Sequence, residues 1–83
     1  MNEEKEYLLN EMEEVKKEIK EVTKKMKKAD KKAALALEKN DVDTFEDYSK
    51  ECVTLRKRIM ALCSYLNVLT NRYTKLIVEG YNK

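Results

Sequence analysis

Asn40-Asp41-Val42-Asp43-Thr44 is the only cluster of turn-forming and helix-capping residues in a chain of 83 that has one Gly and no Pro. Nothing else interrupts a helix, so the chain divides there. Asn tolerates the left-handed backbone conformation, which suits Asn40 to the residue just past a helix C-terminus. Asp43, with Glu46 three residues later, reads as an N-cap box, and Asp41 is a competing cap. These signals predict helix 1 over about 3–39, a turn over about 40–42 and helix 2 over about 43–79.

Outward from the turn, both arms keep one period. On the N-terminal arm Leu8, Met12, Val15, Ile19, Val22, Met26, Ala29, Ala33 and Ala36 recur at spacings of four and three without a slip. That is a coiled-coil seam, with Leu8, Val15, Val22, Ala29 and Ala36 at d and Met12, Ile19, Met26 and Ala33 at a. The C-terminal arm repeats it with Phe45, Tyr48, Cys52, Leu55, Ile59, Leu62, Leu66, Leu69, Tyr73 and Leu76. A short connection between two helices of equal length makes them antiparallel neighbours. Pairing residues whose numbers sum to 81 then sets every a against a d, and sets Ala36, Ala33 and Ala29 opposite Phe45, Tyr48 and Cys52. Small faces large where two aromatic rings need room.

Charge agrees with that direction. Residues 1–21 carry eight acids and four Lys, whereas residues 24–39 carry seven Lys and two acids. Helix 2 starts acidic, with Asp41, Asp43, Glu46, Asp47 and Glu51, and turns basic at Arg56, Lys57 and Arg58. Folding back lays the Lys-rich end of helix 1 beside the acidic start of helix 2, and each helix suits its own macrodipole. The expected fold is all-α, an antiparallel two-helix coiled-coil hairpin that forms one domain over residues 1–83.

One hairpin does not bury everything that helix 2 offers. From Ile59 to Asn71 there is no charge in thirteen residues. Val53, Met60, Cys63, Ile77 and Tyr81 line one flank of the seam, and Ala61, Tyr65 and Val68 line the other. Leu9 falls near Ile77 in the hairpin register and extends the first flank. So wide an apolar arc asks for a second contact. The economical solution is dimerisation of two hairpins into a four-helix bundle. An interface of Val53, Met60, Cys63, Tyr65, Val68, Ile77, Tyr81 and Leu9 is therefore expected, shared with a second copy and with another protein.

Little in the sequence offers chemistry. There is no His, and two Cys do not make a structural zinc site, so no catalytic, cofactor-binding or metal-binding residue is expected. Counted from Asp41, a calcium loop would need Gly at Glu46 and a bidentate Glu at Cys52, so the EF-hand reading fails. Cys52 and Cys63 lie eleven residues apart on one helix, about 16 Å, too far for a disulfide, and Cys63 reads as a buried small apolar residue.

The net charge of +2 lacks the basic excess of a nucleic-acid binder. Two anion-binding alternatives remain. One is a basic saddle for nucleic acid from Lys24, Lys25, Lys27, Lys28 and Lys31 with Arg56 and Arg58. The other is a nucleotide pocket at the oligomer interface near Arg72. A solvated face is the plainer reading of the first, and core packing plus a reach from Arg72 to Glu11 or Glu4 is the plainer reading of the second. No apolar run reaches the roughly 18 residues of a membrane span, and the acidic start MNEEKEY is unlike a signal peptide. A cytoplasmic protein is expected, an adaptor or inhibitor that works by binding a larger partner.

Overall fold

The computed structural model describes residues 2–81, with side chains from 3 to 80. Two helices, α1 (Asn2–Glu38) and α2 (Val42–Tyr81), run antiparallel against each other along a rod of 65 × 14 × 13 Å. Neither helix is long and apolar enough to cross a membrane.

The turn spans 39–41, as long as its sequence signals imply but one residue earlier, because its hydrogen bonds end α1 and begin α2 one residue early. Asn40 has φ 58°, in the left-handed region that Asn tolerates. Around it the Asp41 N–H donates to the Ala36 carbonyl (2.9 Å) and the Asn40 N–H to the Leu37 carbonyl (3.1 Å), the paired bonds of a Schellman end. Asp41, not Asp43, caps α2. Its Oδ1 accepts the Thr44 N–H at 3.3 Å, and its carbonyl accepts the Phe45 N–H at 3.0 Å as the first bond of the helix. Hydrogen bonds from Thr44, side chain first and backbone second, hold the Asp41 carboxyl below the usual carboxylate value. Asp41 wins because the Schellman bonds already place it in the half-in position, leaving Asp43 inside the first turn.

The seam buries as its period requires. Leu8, Val15, Val22, Ala29, Ala33 and Ala36 of α1 are buried, together with Cys52 and Leu69 of α2. Leu8, Val15 and Leu69 centre the core of the far half, with Met12, Ile19, Leu62, Leu66, Tyr73 and Leu76 packed against them. Burying a Leu such as Leu8, 1% exposed, is worth about 1.5–3 kcal/mol. Toward the turn the α1 side shrinks to Ala, and the larger Phe45 and Tyr48 stay half-buried opposite it.

A rod is a costly shape for so short a chain. It exposes 6879 Å² of surface. A compact protein of 9.8 kDa exposes about 5,200 Å², so the excess is about 1,700 Å².

Candidate interaction surface

The seam divides the rod into two flanks, and the residues next to it decide the character of each. On the first, Glu11, Glu18, Lys25 and Lys32 each precede or follow a seam residue of α1 and run beside Glu51, Arg58, Tyr65 and Arg72 of α2. The Arg58 guanidinium pairs with the Glu18 carboxylate. One heptad on, the Tyr65 hydroxyl donates to Glu11 Oε1 at 3.1 Å. Donating that bond to a carboxylate raises the Tyr65 phenol above its ordinary value; Tyr7 and Arg72 belong to the same cluster. Nearer the turn the Lys32 ammonium sits 5.4 Å from the centre of the Tyr48 ring. Three contacts on this flank, Arg58 with Glu18, Tyr65 with Glu11 and Lys32 with Tyr48, thus close across the hairpin.

The second flank is different. Leu37, Val53 and Met60 are 56%, 52% and 65% exposed, Leu9 is 44% exposed, and Cys63 is exposed as a free thiol. At its turn end Ala33, Ala34, Leu37, Phe45, Cys52 and Val53 line a largely apolar groove of about 370 Å³, with Asp30 and Arg56 at the rim. Small Ala residues opposite Phe45 and Cys52 leave this hollow because neither wall reaches across it. Thr70, on the same flank, spends its hydroxyl on the Leu66 carbonyl of its own helix (2.8 Å) and so presents no unmet donor. Apolar surface that nothing in the hairpin covers is the signature of a contact surface.

No family model, curated protein or solved structure matches the chain. The surface is therefore read from its own geometry.

Of the residues singled out in the sequence, Val53, Met60, Cys63, Ile77 and Leu9 lie together on the open flank, whereas Tyr65 and Val68 lie across the seam from them, Tyr65 already bonded to Glu11. The side chain of Tyr81 lies outside the described residues. Cys63 is corrected: within one hairpin it is exposed, because it sits one position outside the seam instead of in it. Its sulfur and that of the buried Cys52 are both free.

The candidate anion ligands are scattered. Lys25, Lys28 and Lys32 share a shallow groove with Tyr48 and Glu51. Lys24, Lys27 and Lys31 point elsewhere around an exposed α1. Arg56 lies at the rim of the apolar groove, across the seam from Arg58, which is engaged by Glu18. Arg72 joins the cluster around Tyr65 instead of closing on Glu11 itself. Among the described residues the close ion pairs are Arg58 with Glu18 and, within α1, Lys16 with Glu13 at 3.9 Å. The Lys-rich end of α1 and the acidic start of α2 thus meet as neighbouring fields.

Sequence reasoning passed over Leu37 and the groove beside it. The available signal was the run Ala33-Ala34-Leu35-Ala36-Leu37, where the charged surround of helix 1 gives way to small and apolar residues on every face. Leu35 and Val42, also more than half exposed, extend that apolar turn end.

Proposed function

We propose that this protein is a non-catalytic, self-associating helical hairpin that acts through protein–protein contact, as an adaptor or an inhibitor of a larger partner. The observation that carries the reading is the contrast in coverage: Val53, Met60 and Leu37 stay more than half exposed on a helix pair that buries every seam residue of α1 from Leu8 to Ala36 at the d positions. Covering such side chains is worth about 25 cal/mol for each Å² of apolar surface removed from water. Self-association comes first in this account because a hairpin of 83 residues has one narrow core, and small helical scaffolds commonly gain stability by oligomerising.

The test changes Met60 and Cys63 together to Glu, which puts like charges on the open flank and spares the seam. Light scattering is expected to report a dimer or larger for the unmutated chain and a monomer for the double variant. Affinity capture from the native cell is expected to retain a partner on the unmutated chain and to lose it on the variant. Equal capture by both would place the partner elsewhere and contradict the role given to this flank.

A further inference from the structure

We infer that the open flank takes a second copy of this chain turned end for end, with the two-fold axis crossing α2 at the level of Tyr65. This rests on the self-association reading and adds orientation and register to it.

Four observations converge. First, α2 carries a second string beside its buried seam: Val53, Met60, Cys63, Asn67, Thr70 and Ile77, with Arg56 and Thr74 completing spacings of three and four. Arg56 is its only charge. A helix with two such strings is built for two neighbours, and the hairpin supplies one.

Second, the ends of that string are unlike and fit each other. At the turn end Val53 belongs to the apolar groove with Ala34, Leu37 and Phe45. At the far end, 24 residues and about 36 Å away, Ile77 stands on the same flank as Leu9. Pairing α2 residues whose numbers sum to 130 sets Val53 against Ile77 of the second copy and Cys63 against Asn67. The two-fold then fills both grooves at once with branched side chains, as an isologous interface must.

Third, the rod is charge-polarised. Residues 22–59 hold eleven cations against seven anions, net +4, and the remaining residues hold seven against nine, net −2. End-for-end docking lays the positive half of each copy along the negative half of the other, whereas parallel docking sets like halves together and groove against groove.

Fourth, the elongated rod has surface to give. The excess of about 1,700 Å² over a compact protein is about twice the 800 Å² each partner gives to a standard interface. Thr70 enters without an unmet hydroxyl donor.

The experiment uses full-length chains carrying Cys63→Ser, with Cys52 left in its buried place. Val53→Cys chains are mixed with Ile77→Cys chains and treated with a short bis-maleimide. The mixture is expected to give a covalent dimer in at least tenfold greater yield than either chain alone. Arg56→Cys mixed with Thr74→Cys, which removes no apolar side chain, reports the same register should the first pair weaken the contact. Met60→Cys alone is expected to give no link, because its two copies lie ten residues, about 15 Å, apart along the axis. A Met60→Cys self-link would mean parallel copies, and a dimer by light scattering with no link at any pair would mean another face. Either result overturns the register while leaving self-association standing. Monomers at every concentration would overturn both and leave the flank to a foreign protein.

Discussion

The two flanks of one seam are made from the same two helices, yet they solve opposite problems. On the flank of Glu18, Arg58, Glu11 and Tyr65, charged and hydroxyl groups from α1 and α2 are matched across the hairpin. These pairs are exposed, so their worth lies in direction: only antiparallel helices bring them together. On the flank of Leu37, Val53, Met60 and Cys63 the exposed side chains are mainly apolar, with Asp30 and Arg56 at the groove's rim, and there is much to cover. The first flank closes the hairpin on itself. The second leaves it unfinished.

Breaking what the flanks share should have the largest effect. Val22 is 5% exposed in the seam opposite Ile59, and Val22→Asp buries a carboxylate without a partner at a cost of several kcal/mol. Circular dichroism should show most of the helicity lost; an unchanged melting temperature would refute the register. Next comes the open flank. Met60→Glu with Cys63→Glu should abolish association and lower the melting temperature, since assembly and folding are linked, whereas Thr54→Glu, at an exposed position on the opposite side of α2, should do neither. The closed flank should matter less: Glu18→Ala should cost at most about 1 kcal/mol, an effect that salt erases, and should leave the mass in solution unchanged.

An effect of similar size is expected at the cap. Asp41→Ala removes the acceptor for the Thr44 N–H and should lower the melting temperature by a few degrees, about what a lost N-cap gives. Because the folded Asp41 carboxyl is held below its ordinary value, its contribution is full above that value and is lost as pH falls through the folded one. The difference between the unmutated chain and Asp41→Ala should therefore shrink in acid, as thermal melts at several pH values would show.

The hairpin was legible because an unbroken three-and-four spacing admits one helical face, and because one capping cluster admits one turn. The left-handed Asn40 followed from residue type alone. The choice between Asp41 and Asp43 did not, since it depends on which residue the Schellman bonds leave half outside the helix. The same holds for Tyr65, whose spacing beside Val68 suggested apolar contact: a phenol carries both a ring and a donor, and only the position of Glu11 decides which is used. The groove at Leu37 was hidden for another reason. Opposing Ala33 with Tyr48 balances volume on average, but a hollow depends on where each side chain leans, which spacing does not encode.

The central claim is that the open flank is covered by another copy of the chain. Thermal melting followed by circular dichroism over a hundredfold range of protein concentration tests it most directly, because only a stability that includes assembly depends on concentration. The melting temperature is predicted to rise steadily with concentration for the unmutated chain and to stay flat for the Met60→Glu, Cys63→Glu variant. A melting temperature independent of concentration in the unmutated chain, with a monomer mass throughout, would contradict it.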